Sequence, residues 1–345
     1  MKPRELRAAR ATPPARRTYL CLEGARRKPT DYQVTSTALL YYPTRGFEVE
    51  TPVWRHYVEY QQRGKLRSDR WDDFEDPAHF TYSTYVSERR DQEAFLDRLF
   101  ERPAGPTPIQ LRPLLGLISA LRFPLHGLQM VAAYVGALAP SGRISIAAAF
   151  QAADELRRIQ RLCQWLGRSG VPIAELDARG REIWQQNPTL QPLRQLIERL
   201  LVTFDWGEAL IALNGILKPM FDRLWFEHLV RVAERHHDEV LEKTLSSLGD
   251  DARWHESWFG DLARLALASD ANNAAAAERV VGELRPLAAR AIQALLPAFD
   301  GLLGDDGACA YVCRELDGAL QVHLERAGLA APTQGSAEVC DGEQG

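Results

Sequence analysis

Two short segments of this sequence carry the spacing of a dimetal carboxylate site. In helical proteins of that kind two metal ions are held by one Glu from each of two helices and a Glu-x-x-His pair from each of two more. The three-residue spacing puts both ligands on one helical face. The first segment is Asp154-Glu155-Leu156-Arg157-Arg158. Glu155 is in place, but Arg158 stands where a histidine is needed, and a guanidinium keeps its proton and has no lone pair to give. The second is Asp251-Ala252-Arg253-Trp254-His255, in which His255 remains and Ala252 replaces the carboxylate. A full Glu-x-x-His, Glu234 to His237, lies in a charged run without a partner motif and reads as a solvated helix end. Glu155 and His255 are therefore remnants, Arg158 and Ala252 mark lost ligands, and neither a catalytic residue nor a metal site is expected in this chain. An inward Arg158 needs compensation, because an unpaired buried charge is costly. The expected partner is a carboxylate such as Glu155 or Glu208; the alternative is an arginine pointing to solvent.

Other reactive side chains lack company. His126, His228 and His236 read as satisfied helix histidines. Cys309 and Cys313 are one helical turn apart with no matching Cys/His pair, and read as small apolar residues. The five cysteines, at 21, 163, 309, 313 and 340, are too scattered for a disulfide framework, which points to a reducing cytoplasm.

Residues at such positions need long helices to hold them, and the chain supplies these only after about residue 114. Leu114–Leu121 runs into Pro124 and then Leu125–Leu138. Ser141 can cap the next helix, Ile144 to about Leu166, which stops at Gly167 and Gly170. Further helices are expected over Pro188–Leu201, from Asp205 to His237 with a kink at Pro219, over Glu239–Leu267, and over Asn273–Phe299, where Pro286 can divide one helix into two. The first third reads differently: twelve of the twenty prolines fall before residue 125. Val34–Tyr42 is aromatic and β-branched, and Asp76-Pro77 looks like the cap and first residue of one helix. The expected organisation is a basic flexible arm over 1–27 and an extended, irregular region with one helix over 28–113. A bundle over 114–300 and a C-terminal extension over 301–345, disordered after Ala327, complete it. The fold class is all-α: a helical bundle with a proline-rich N-terminal wrap.

Totals exclude several classes. The chain has 345 residues, 46% hydrophobic and 26% charged, which rules out disorder throughout. A net charge of −4 argues against a nucleic-acid partner despite the basic start. No apolar stretch follows the N-terminal charges before Tyr19, and the apolar runs Ile144–Ala149 and Ala209–Leu217 are too short to span a bilayer. No membrane association and a cytoplasmic location are expected.

An ordered set of segments then carries a family resemblance. They are Lys28-Pro-Thr-Asp-Tyr32, Trp71-Asp-Asp-Phe-Glu-Asp-Pro77 with Tyr82 and Tyr85, Pro124-Leu-His-Gly-Leu-Gln-Met130 with Ala132-Ala-Tyr134, and Gln151-Ala-Ala-Asp-Glu-Leu-Arg157. Phe204-Asp-Trp-Gly-Glu-Ala209, Lys218-Pro-Met220, Asp251 to Trp258 and Arg285-Pro-Leu-Ala-Ala-Arg290 follow in order. The chain resembles the β subunits of the hydroxylase component of bacterial multicomponent di-iron monooxygenases, in the toluene, benzene and alkene group, with phenol hydroxylases more distant.

The resemblance implies a ferritin-like bundle that lacks the iron ligands, and a structural role in an (αβγ)2 hydroxylase that oxidises aromatic hydrocarbons. It implies no cofactor in this chain, a di-iron centre in the α subunit, and as partners α, γ and a second αβγ unit. Ferredoxin, reductase and an effector protein are indirect partners. On this reading the aromatics Tyr32, Trp54, Trp71, Phe74, Tyr82 and Tyr85 are the interface candidates, since obligate interfaces are rich in such side chains; the alternative is local packing.

Overall fold

The computed structural model describes residues 30–39, 52–105, 107–299, 302 and 308–329, and among them every regular element is helical. The basic arm, residues 40–51 and the tail after 329 lie outside the described residues.

The region 28–113 is more regular than expected. It holds α1 (Asp31–Leu39), α2 (Pro52–Gln62) and α3 (Tyr82–Phe100). The β-branched residues of α1 are overruled by a capping box. The Gln33 amide donates to Thr30 Oγ1 at 3.2 Å, and the Thr30 amide donates to Gln33 Oε1 at 3.1 Å. Proline at the first position of α2 starts a helix rather than breaking one. Asp76 and Pro77 do not open α3, because a Thr81–Thr84 capping box does so further on. Asp76 closes a tight turn instead, accepting from the amides of Ala78 (3.1 Å) and Phe80 (2.9 Å).

α4 (Arg112–Leu138) runs unbroken through Pro124. Leu121, Leu125 and Leu128 are buried on both sides of the proline, so packing holds the two halves in line despite the missing backbone bond. The stretch Ile109–Leu138 is long and apolar enough to cross a membrane, yet 72% of its apolar window is buried inside the bundle, as for a core helix. After a turn capped by Ser141, α5 (Gly142–Gly167) runs back along α4.

α6 (Ile173–Gln186), for which no helix was expected, and α7 (Gln191–Leu201) cover α4 from outside. The approach is close. A Cβ on Gly127 of α4 would lie 2.4 Å from Ile197 Cγ2 of α7, and one on Gly180 of α6 2.5 Å from Ser119 Oγ.

The long helix α8 (206–235), capped by Asp205, contains two π-helical stretches, Ile211–Leu217 and Leu224–His228. The irregularity therefore lies on both sides of the turn carrying Lys218, Pro219 and Asp222. π-Bulges frequently mark functional positions. α9 (Glu239–Ser269) is capped by Asp238, and α10 (Asn272–Leu295) continues through Pro286 as one helix. The extension after 300 contributes a core element, α11 (Ala308–Arg326), whose Val312, Leu316, Leu320 and Leu324 are all buried. The His323 ring Nε2 pins α11 to the Asn214 carbonyl in the first π stretch, at 3.0 Å.

Candidate functional site

The centre of the bundle, between α3, α5, α8 and α9, is ionic rather than apolar. The first buried layer is built from Glu155 and Arg158 of α5 with Lys218 and Asp222 of α8, all at most 4% exposed. Arg158 Nη1 donates to both Glu155 carboxylate oxygens at 3.1 Å and to Asp222 Oδ1 at 2.8 Å. Lys218 Nζ donates to Glu155 Oε1 and reaches Asp222 Oδ2 at 2.9 Å. Each carboxylate thus bridges both cations, and each cation bridges both carboxylates. The Arg158 guanidinium also lies over the Phe226 ring, 4.4 Å from its centroid.

The electrostatics follow from this pairing. Burial alone would push the Asp222 carboxyl up, but the Arg158 and Lys218 charges hold it below its ordinary value. Burial likewise disfavours the Arg158 cation, and Asp222 and Glu155 more than offset it, so its pKa is raised. Arg158 does not reach Glu208, which pairs with Lys65 near the surface.

A second layer is offset by one residue along α5 and is completed by α3 and α9. Asp154 of α5 accepts from Arg89 of α3 at 2.7 and 3.0 Å, from the Tyr85 hydroxyl at 2.7 Å, and is bonded to His255 Nε2 at 3.1 Å. These partners hold its carboxyl well below the usual range despite burial. Asp251 of α9 takes Arg157 Nη1 at 2.6 Å and an ion pair from Arg89 at 3.3 Å. Burial and the neighbouring Asp154 charge push Asp251 up to about 7, against Arg157 and Arg89. Burial together with the Lys218 charge pushes His255 down to about 4, so its ring is neutral near neutral pH.

A dimetal centre does not fit these residues. The position three residues after Glu155 holds a guanidinium, the position three before His255 holds a methyl group, and the space between Glu155 and Asp222 is filled by an ammonium and a guanidinium. Among the described residues no group of three or more His, Cys, Asp or Glu side chains is set to hold a metal ion. Beyond Ala252 lies a polar groove of about 490 Å³, lined by Asp222, Glu227, Glu256 and His323 among others.

The structure brings Glu155 and Arg158 together, but it turns His255 to Asp154 and leaves Ala252 without a polar role. Sequence reasoning missed Lys218, Asp222, Arg89 and Asp251. A usable signal was present in Ile216-Leu217-Lys218-Pro219-Met220-Phe221-Asp222: two opposite charges at i, i+4 inside an otherwise apolar run.

The interface candidates divide. Tyr32, Trp71, Phe74 and Tyr85 are only 6, 7, 2 and 8% exposed within this chain alone, and they serve its own core. Tyr32 stacks on His79 and its hydroxyl accepts from the Asp76 amide at 2.8 Å; Trp71 packs edge-on against Trp206; Tyr85 stacks on Phe150. The contacts of these four lie within this chain, in the local packing that was the alternative to an intersubunit role. Tyr82 is 74% exposed. Trp54 lies in α2, and its side chain is outside the described residues.

Comparison with known proteins bears on this architecture. The family model described as methane/phenol/alkene hydroxylase matches residues 44–270. The β subunit of the hydroxylase component of the toluene-4-monooxygenase system of Ectopseudomonas mendocina is 33% identical over 293 residues, 81% of this chain and 89% of that one. The oxygenase component of phenol 2-monooxygenase from Pseudomonas sp. strain CF600 is 25% identical over 295 residues, 81% of this chain and 84% of its own. In three dimensions the chain matches a chain of toluene 4-monooxygenase, solved with toluene in its resting active site. The TM-score is 0.72 at 30% identity, covering 82% of this chain and 97% of that one. A phenol hydroxylase chain from Pseudomonas sp. OX1 shares the fold, with a TM-score of 0.73 at 20% identity over 88% of this chain and 92% of its own. The chain belongs to the methane/phenol/alkene hydroxylase family, as a hydroxylase β subunit of the toluene monooxygenase group.

Proposed function

We propose that the chain is the non-catalytic, structural β subunit of a soluble (αβγ)2 monooxygenase hydroxylase that oxidises aromatic hydrocarbons such as toluene or benzene with O2 and NADH-derived electrons. The single observation that carries the non-catalytic part is the Glu155–Arg158–Asp222–Lys218 layer. Side-chain cations fill the centre of the bundle where oxygen chemistry would need exchangeable metal positions. The di-iron centre belongs to the α subunit, and this chain supplies a rigid helical partner for it. The cytoplasm is the compartment that suits few, scattered cysteines and reductase-delivered electrons. Likeness to the phenol 2-monooxygenase component keeps a phenol or alkene substrate as the second reading.

Co-expression with hydroxylase α and γ chains tests the proposal. The expected result is a single complex that co-purifies and consumes NADH on addition of toluene, given its reductase, ferredoxin and effector. Failure of the three chains to co-purify rejects the subunit role. Turnover of phenol or propene in preference to toluene selects the second reading.

A further inference from the structure

We propose that the cavity between α1, the turn before α3 and α5 is a binding site for a small neutral phenol, a single aromatic ring carrying one hydroxyl. The cavity measures about 230 Å³ and is walled by Phe80, Ile146, Ala147 and Phe150, with the exposed Tyr82 at its rim. An apolar cavity of about 150 Å³ holds one benzene ring. This one therefore takes a single ring with a substituent, and it falls below the roughly 300 Å³ at which sites for drug-sized ligands begin.

The walls are braced from behind, so the space does not close by relaxation. The Phe80 ring packs edge-on against Tyr85 and Trp254, with centroids 5.8 and 5.3 Å apart, and Phe150 stacks on Tyr85 at 4.2 Å. Tyr32 is held by the stacked His79 ring at 5.0 Å and by the Asp76 amide. A preformed cavity binds without the entropy loss of ordering its walls.

One part of the lining is polar and selects the ligand. Tyr32 and Ser36 lie one turn apart on α1 and both line the cavity, as does Arg143 of α5. The Tyr32 hydroxyl accepts from the Asp76 amide at 2.8 Å, and its own proton has no acceptor among the described residues. Burial pushes its pKa up to about 12, so the proton stays in place near neutral pH as a donor. Ser36 Oγ donates to the Gln33 carbonyl at 3.3 Å, and its lone pairs receive no donor among the described residues. A phenolic hydroxyl accepts from the first and donates to the second, whereas a plain hydrocarbon leaves the Tyr32 proton unpaired. The Arg143 charge is already matched by Glu75 at 3.7 Å, so the cavity calls for a neutral ligand rather than an anion. Phenols are also what hydroxylation of an aromatic ring yields, which makes this a site for the product class. That link rests on the proposed function; the binding itself rests on this chain alone.

Fluorine NMR on the full-length chain tests this with p-fluorophenol and p-fluorotoluene as probes. The p-fluorophenol signal is expected to shift and broaden with a dissociation constant of roughly 0.1–1 mM, the scale for so small a ligand. The p-fluorotoluene probe is expected to bind at least about tenfold more weakly, because it leaves a buried donor unpaired. Tyr32→Phe should bring p-fluorophenol down to the level of p-fluorotoluene. Ile146→Trp, at a half-buried wall position, should fill the cavity and abolish binding of both probes. Should that variant fail to fold, Thr35→Trp at the exposed rim serves the same purpose. Absence of p-fluorophenol binding well above the expected range overturns the proposal, as does equal binding of the two probes or binding that survives in the filled variant. Co-purification decides the subunit role separately: a chain that binds the phenol but joins no complex loses the proposed function and keeps the site.

Discussion

Asp154 and Glu155 are neighbours in the chain but anchor two ionic layers of different character. Around Glu155, two carboxylates meet two cations, and each acid is bridged twice. Around Asp154 the sharing is unequal. Asp154 collects Arg89, Tyr85 and His255, while Asp251 has to share Arg89 and depends on Arg157, which is also held by Glu93 at 2.5 Å. One Asp251 oxygen has no well-aligned hydrogen bond. In the first layer every carboxylate oxygen is paired, although the Arg158 Nε is not, whereas in the second a carboxylate oxygen lacks an aligned donor. The lesson is that burying charge is tolerable where every carboxylate oxygen finds an aligned donor, and that a deficit surfaces as a raised pKa rather than as a broken fold.

The sharpest way to break this comparison is at Arg158. Arg158→Leu leaves two buried carboxylates against one ammonium, and the expected loss is about 3–5 kcal/mol of unfolding free energy. Urea titration with fluorescence of the buried tryptophans measures it; a loss below about 1 kcal/mol would mean that the layer is not coupled. Asp154→Asn in the outer layer should cost less, about 2–3 kcal/mol, because Arg89 and His255 keep partial partners in the amide.

The third prediction separates the layers by pH. Asp251 titrates near 7 in the folded chain and near 3.9 when unfolded, so its contribution is fully present below about pH 4 and is lost as pH rises through about 7. Asp222 is depressed, so its contribution is present above the unfolded value and lost only on acidification. Between pH 5.5 and 7 the Asp251 term lowers wild-type stability by up to about 1.4 kcal/mol per pH unit. Urea midpoints across that range should show this component vanish in Asp251→Asn and persist in Asp222→Asn.

Two smaller effects lie outside the ionic core. His323→Phe removes the contact from α11 to the π stretch and should cost about 1 kcal/mol, with faster amide exchange confined to 308–326. Tyr82→Ser should leave stability within about 0.5 kcal/mol. Its expected effect is weaker co-purification with partner subunits, and unchanged co-purification removes Tyr82 from the interface.

Much of the site was legible because helical geometry is local. The three-residue spacing of Glu155 with Arg158 and of Ala252 with His255 can be read without a structure, and it tells which side chains share a face. Caps are equally local, and Ser141 and Asp205 behave as their neighbours require. The Thr30–Gln33 box and the Val312, Leu316, Leu320 and Leu324 repeat were also present in the sequence, though proline content and a polar tail masked them.

What the chain by itself determined is most of the long helices after residue 114 and which residue types stand at the three-residue spacings, because both depend on residue type and on spacing within one turn. The tertiary structure alone decided which charges meet. Lys218 and Asp222 lie 63–64 residues from the α5 residues they bind, and Arg89 lies 65 residues from Asp154. No local rule orders such pairs. Only the packing of four helices decides that Arg158 pairs with Asp222 rather than Glu208, that Tyr85 serves this chain's own core, and that the centre of the bundle is filled by an arginine and a lysine paired with two carboxylates.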